Sequence, residues 1–332
     1  MGYYTDKIEV LKNIFGTENV NLSSEGLLVD KHFYPIVDDV IVLLDPIQYT
    51  EHLKKRLKIT TDKINNKSSE FAEDIQFTFG EEWQKFSRIL PEHKQEFLQY
   101  FDLIDLNSIK NKRVCDLGCG IGRWSYFLRD KCKELVLVDF SESIFIARNN
   151  LKDSNALFFM CDIKKLPFRD SFADLIFCLG VLHHLPTDAL DEVKNLKKYS
   201  PLLLIYLYYA LDNRPIHFRI LFFHVTILRK LVSRIRNPLF RSIFTWFTTI
   251  TGYLPMIELG KILKPIGLSK HIPLYESYNK NTIKRIKQDV YDRFFTNIEQ
   301  RLSRNQIAAL NKEFSTVIIS DNLPYWHFLC ER

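Results

Sequence analysis

No C-x-x-C pair occurs anywhere in this chain. Its six cysteines (115, 119, 132, 161, 178 and 330) are scattered through apolar, strand-like contexts. That spacing excludes a disulfide framework and describes free thiols in a reducing compartment. The start, MGYYTDKIEV, lacks the basic and apolar regions of a secretion signal, and Asp6 stands where a myristoylation motif needs Ser or Thr. Long apolar runs are missing too. The longest uncharged stretch, Ser242 to Ile257, is 16 residues with Thr, Gly and Pro inside it, short for a bilayer span. Together these absences read as a cytoplasmic protein.

What is present is ordinary in bulk and uneven in detail. Of 332 residues, 46% are hydrophobic and 26% charged, which excludes global disorder and allows a large core. The net charge of +6 is mild. Residues 1–48 read as a small β-rich unit, with GLLVD, HFYPIVDD and VIVLL as short strands. Residues 49–110 turn helical and charged, with a polar linker at TTDKINNKSSE. Residues 111–209 carry RVCDLG, ELVLVDF, ALFFMCD, ADLIFCLG and PLLLIYLYY, continuous apolar strands separated by helical segments. That pattern describes buried parallel strands in an α/β sheet. The helix over Asp188–Lys198 takes Thr187 as its expected N-cap. Residues 210–313 are helical and aromatic-rich, and 314–332 read as a hairpin, STVIIS and YWHFLCER around DNLP.

Within VCDLGCGIGRWS three glycines crowd the end of the first core strand. A metal site would need more than Cys115 and Cys119 in C-x3-C, and no His lies within twenty residues of them. A phosphate loop would follow its last Gly with Lys and then Ser or Thr, whereas Arg123 and Trp124 follow here. A dinucleotide loop wants G-x-G-x-x-G, and Gly118-x-Gly120-x-Gly122 is one residue short. What remains is a strand-to-helix glycine turn preceded by an acid, Asp116. Asp139 ends the next strand, at the spacing for a carboxylate that accepts ribose hydroxyls, and Asp162 ends the third, placed to address an adenine edge. Three acids at consecutive strand ends, without a basic phosphate partner, suit a phosphate-free nucleoside carrying an ammonium and a sulfonium.

VCDLGCGIGRWS, LVLVDFSES and CDIKKLPFRDSFADLIFCLGVLHHL closely resemble class I S-adenosylmethionine-dependent methyltransferases, nearest the type 11, quinone-biosynthesis-like subgroup. The resemblance implies a Rossmann-like seven-stranded sheet in the order 3-2-1-4-5-7-6 with the last strand antiparallel. It further implies S-adenosyl-L-methionine as cofactor and no metal. Asp116, Gly118 and Gly120 would surround its methionine part, Asp139 its ribose, Asp162 and Ile163 its adenine, and Leu179 would lie beside the sulfonium. FTFGEEWQKF (77–86) looks like a segment that covers the cofactor in relatives. FYPIVDDVIVLL resembles a small zinc-ribbon-derived domain that accompanies tRNA, rRNA and protein methyltransferases. The usual Gly is Asp39 here, the usual Pro is Ile41, and the zinc cysteines are absent, so zinc is not carried over.

Methyl transfer asks for near-attack geometry above all, worth roughly 7–11 kcal/mol when reactants are held in place. In GVLHHLP, His183 is the expected base or substrate orienter, with a packing or capping role as the alternative. Tyr291, Asp292, Arg293, Glu299 and Arg301 resemble a segment in the insertion of some relatives and are substrate-side candidates. From Asn213 to Ile257 there are seven Arg or Lys, eight aromatics and no Asp or Glu. Leu221, Val225, Leu228, Val232 and Ile235 form one helical stripe, with Arg219, Thr226, Lys230 and Ser233 on another face. Three readings stay open: a packed lid helix, a surface for an anionic or amphiphilic partner at a membrane, or a nucleic-acid contact. The leading expectation is a methyltransferase of a small-molecule, glycan or lipid-like acceptor. The alternatives are an RNA or translation-protein methyltransferase and a non-catalytic cofactor-binding partner.

Overall fold

The computed structural model describes residues 2–59, 76 and 86–332. The segment 77–85, expected to cover the cofactor, lies outside them, as does the whole polar linker TTDKINNKSSE.

One eleven-stranded sheet organises the described residues. Its strands are β1 (Val20–Leu22), β2 (Gly26–Val29), β3 (His32–Val37), β4 (Val40–Val42), β5 (Arg113–Leu117), β6 (Glu134–Asp139), β7 (Leu157–Met160), β8 (Leu175–Leu179), β9 (Leu202–Tyr206), β10 (Thr316–Ile319) and β11 (His327–Glu331). They run in the order β1-β2-β3-β4-β7-β6-β5-β8-β9-β11-β10. From β7 onward this is the implied 3-2-1-4-5-7-6. β5 to β9 pair parallel, and β11 runs antiparallel to β9 with Phe328 opposite Ile205. The count exceeds the expected seven because the N-terminal meander continues the sheet, with β4 parallel to β7 and Ile41 opposite Phe159.

Both sheet faces are buried, which is why these strands read as unbroken apolar runs. Alternate residues serve opposite layers. Cys115, Val136, Phe159 and Ile176 pack on one side, while Val114, Leu137, Phe158 and Phe177 pack on the other. The N-terminal segment is tied to β7 by phenol groups. Tyr3 donates to the Ala156 carbonyl (2.6 Å), and Tyr4 accepts from the Phe158 amide (3.2 Å). The β3–β4 turn holds Asp38 and Asp39 at φ 46° and 60°. Asp39, standing where the related pattern has Gly, therefore occupies a left-handed position, and its carboxylate pairs with Arg148 at 2.9 Å.

Two local expectations change. The helix Ala189–Leu196 is capped by Asp188, whose carboxylate accepts from Leu190 and Asp191, while Thr187 instead bonds Glu192. The helix Ile216–Val232 is rotated from the expected packing. Arg229 turns inward, donating to the Thr296 carbonyl at 2.9 Å and lying 3.8 Å from Glu299, so Ser233 is buried while Leu221, Leu228 and Ile235 are exposed. Beneath it, Val232, Tyr253, Ile257, Ile286, Val290 and Phe295 give the insertion a core of its own.

Candidate active site

At the carboxyl ends of β5, β6, β7 and β8 the chain leaves a cavity of about 970 Å³. This is where open α/β sheets bind ligands, beside the strand-order reversal between β5 and β8. Gly118, Asp139, Asp162, Ile163 and Leu179 all line it. Asp116, Gly120 and His183 do not.

The glycine turn explains itself from its backbone. Gly118 sits at φ +76°, and a Cβ there would meet Val181, with Cγ1 at 2.8 Å. Its amide donates to the Val138 carbonyl at 2.8 Å, locking the turn against β6. Gly120, at φ +53°, gives its amide to Asp139 Oδ2 at 2.8 Å. Asp139 Oδ1 accepts from both the amide (2.8 Å) and hydroxyl (2.7 Å) of Ser141. A carboxylate has about four acceptor positions. Gly120, Ser141 and Ser143 therefore draw on most of that capacity. Burial pushes the Asp139 carboxyl above its usual range.

Asp116 lies behind the loop. It accepts from the Ser125 hydroxyl at 2.7 Å, and burial pushes its carboxyl up to about 8. Asp162 caps the turn Ile163–Lys165 through the Lys164 amide at 3.0 Å, and burial raises its carboxyl as well. Ile163 beside it is nearly covered, an apolar wall for a flat ring.

His183 is fully buried, packed 4.0 Å from the Tyr208 ring, and neither ring nitrogen finds a hydrogen-bond partner among the described residues. Burial holds it well below the usual histidine range, hence neutral. Its neighbour His184 lines the cavity instead, with Nδ1 2.7 Å from the Ile298 carbonyl. Successive residues of a short 3-10 turn, Leu182–His184, point differently.

The opposite wall holds residues that the sequence reading passed over. Tyr100 packs against Trp124 and Tyr206, each at 5.1 Å, and the Tyr208 hydroxyl donates to Asp292 at 2.7 Å. A signal for the tyrosines existed: LIYLYY ends β9, and strand ends are where ligands sit. The insertion contributes Asp292 and Arg293 to the cavity, and Arg285 bridges Glu96 at 2.9 Å. Tyr291 is in the insertion core, whereas Glu299 and Arg301 pair with each other at 2.6 Å. Among the described residues no cluster of three or more His, Cys, Asp or Glu could hold a metal.

The cationic stretch divides as well. Arg229 and Arg241 are buried and Arg214 pairs with Glu276 at 2.6 Å, so these three do not face outward. Each found an internal acceptor or ring: Arg241 donates to the Ile235 carbonyl and lies over the Phe295 ring. Arg219, Lys230 and Arg234 are exposed.

Residues 114–198 match the family described as a methyltransferase domain. A curated tRNA U34 carboxymethyltransferase of Trichodesmium erythraeum is 27% identical over 133 residues, which is 39% of this chain and 36% of the relative. The chain thus spans little more than a third of that relative's length. An uncharacterized protein of Methanocaldococcus jannaschii is 25% identical over 211 residues, covering 62% of this chain and 88% of its own. Among solved structures, the YcgJ protein of Bacillus subtilis superposes with a TM-score of 0.34 at 21% identity, covering 40% of this chain and 58% of its own.

Proposed function

We propose that this chain, which carries a class I methyltransferase domain, binds S-adenosylmethionine in the strand-end cavity and transfers its methyl group to an acceptor admitted past the insertion. The observation that carries the reading is the meeting of Gly118, Asp139, Asp162, Ile163 and Leu179 on one wall of a cavity of about 970 Å³. Those residues fit the cofactor's parts. Gly118 at its left-handed dihedral turns the backbone along the cavity wall, and the Asp139 carboxylate beside it suits a ribose hydroxyl. Asp162 has Oδ2 left for a donor, and Ile163 offers an apolar plane. When bound, the cofactor supplies an electrophilic methyl on a sulfonium.

The chain's own part is positioning. Leu179 and Gly180 would shape the wall beside the transferring carbon, and the insertion residues Tyr278, Asp292 and Arg293 would shield it from water. Tyr208, held by Asp292, is the cavity hydroxyl best fixed to orient an acceptor. His183, neutral and without a route to the cavity, packs the tyrosine from behind.

The acceptor half of the cavity carries Glu92, Glu96, Asp289 and Asp292 together with Arg123, Lys280, Arg285 and Arg293, among aromatic rings. Arg285 pairs with both Glu96 and Asp289, and such a wall of mixed sign suits a small polar, amine-bearing or lipid-like molecule. A second reading, an RNA acceptor, is supported by several curated relatives that are tRNA U34 carboxymethyltransferases. The test is radiolabelled methyl transfer onto extract fractionated into lipids, glycans, RNA and protein. Label in the small-molecule, glycan or lipid fraction supports the first reading, and label in RNA the second. Cofactor binding with no demethylated product in any fraction would make the chain a non-catalytic binding partner.

A further inference from the structure

Three consecutive segments of the insertion present apolar side chains outward. On Ile216–Val232 the stripe is Ile216, Ile220, Phe223, Ile227 and Leu231, spaced by three and four residues on a single helix face. On Pro238–Thr248 and the turn after it the stripe is Leu239, Ile243, Trp246, Phe247 and Ile250. Leu254–Leu263 and its extension add Leu259, Ile262 and Ile266. Phe223 is 62% exposed, Leu239 69%, Phe247 64% and Ile262 71%. These residues are not the insertion's core. The first two helices pack their other faces on Ile283–Phe295, where Val232, Ile286, Val290 and Phe295 are already buried together. Exposed apolar surface of this extent marks a docking site rather than ordinary scatter.

We propose that this face rests on an anionic lipid bilayer, with the helices lying in the interface plane. The proposal does not depend on the methyltransferase reading. Charge selects the occupant. Between Asn213 and His271 the sequence has a single carboxylate, Glu258, and it is paired with Lys261 at 2.7 Å. Exposed Arg219, Lys230, Arg234, Lys264 and Lys270 border the stripes. A second copy of the chain would set these cations against one another, whereas acidic headgroups balance them. Ten of the thirteen outward residues are Ile or Leu, on which nucleobases stack poorly, and this weighs against single-stranded RNA. No described helix is long and apolar enough to cross a membrane, so the apolar faces would enter only to the headgroup and acyl boundary. Ile283–Phe295 joins this surface to the cavity: both stripe helices pack on it, and its Asp289 and Asp292 line the cavity wall.

The test is flotation of the full chain with phosphatidylcholine vesicles, with and without phosphatidylglycerol. The expected result is flotation with the anionic vesicles, weakening as salt rises. Phe223→Ser and Phe247→Ser should each lower partitioning roughly tenfold or more, the worth of a buried aromatic side chain. Arg219→Gln, Lys230→Gln and Arg234→Gln should each cost about fivefold at low salt. Melting temperature should be unchanged in all five variants, since none contributes to a buried cluster. Three results would overturn the proposal. One is wild-type protein that floats with neither vesicle. Another is light scattering that shows a lipid-free dimer dissolved by Phe223→Ser, which makes the face an interface between copies. The third is salt-sensitive RNA binding lost in the three cation variants while vesicles are ignored.

Discussion

Replacing Gly118 with Ala tests whether the first glycine of the turn is required by space and dihedral together. The new Cβ would sit at φ +76° and meet the branched methyls of Val181, with Cγ1 at 2.8 Å. The left-handed dihedral costs a non-glycine residue about 1–2 kcal/mol. Overpacking against Val181 adds about 1–3 kcal/mol. For 332 residues, melting entropy is about 0.7 kcal/mol per kelvin, so each kcal/mol lowers the midpoint by about 1.4 °C. Gly118→Ala should therefore melt about 3–7 °C below wild type. The two terms separate in a double-mutant cycle with Val181→Ala, which removes the steric partner and leaves the dihedral. In that background Gly118→Ala should cost only the dihedral term, leaving a coupling of about 1–3 kcal/mol. Calorimetric scans of the four proteins supply the cycle. Additivity to within about 0.5 kcal/mol would refute the contact with Val181. A single variant melting with wild type would refute the whole account of the turn.

Three further outcomes are expected. Asp116, raised to about 8 from an ordinary 3.8, prefers its proton in the folded state. Its stabilising share is complete below pH 4 and lost as pH climbs through about 8, so the melting advantage of Asp116→Asn over wild type should widen between those limits. A pH-independent gap would contradict this. His183→Phe keeps the packing against Tyr208 and removes two buried nitrogens that lack partners among the described residues, so it should raise stability by about 1–3 kcal/mol and leave methyl transfer intact; a rate loss on the order of 100-fold would restore His183 as the base. Asp139→Ala removes the acceptor of the Gly120 and Ser141 amides together with the proposed ribose contact, and titration calorimetry should show S-adenosylmethionine weakened at least about tenfold. Unchanged affinity would remove Asp139 from the site.

The core was legible because its signals are local or periodic. Unbroken apolar runs gave the parallel strands, and Gly118, Asp139 and Asp162 followed from their places at strand ends. Which strand-end residues reach the cavity was not legible. Asp116 and Asp139 both flank the glycine turn, yet one lies behind it and the other in front, a distinction set by tertiary packing against Ser125. The same limit applies to His183 and His184, since a one-residue step in a tight turn exchanges cavity for core. In the insertion the periodic pattern had two apolar faces to choose from. Arg229 decided between them by bonding the Thr296 carbonyl far along the chain, a partner that periodicity cannot reveal. β1 and the helix Ile8–Phe15 were passed over because they are short and lie between polar residues.

The pairing of β4 beside β7 has a consequence for assembly. In a sheet that stopped at β7, the free amides and carbonyls of that strand would be a template for a strand from another protein. Here the chain supplies the neighbouring strand itself, through Ile41 opposite Phe159 and Val42 opposite Met160. Because the two segments share one backbone, their local concentration is of millimolar order, and an external competitor must exceed it to displace β4. The outermost position falls instead to β1, three residues long and too brief to recruit much. Strand addition on this flank is thereby made intramolecular.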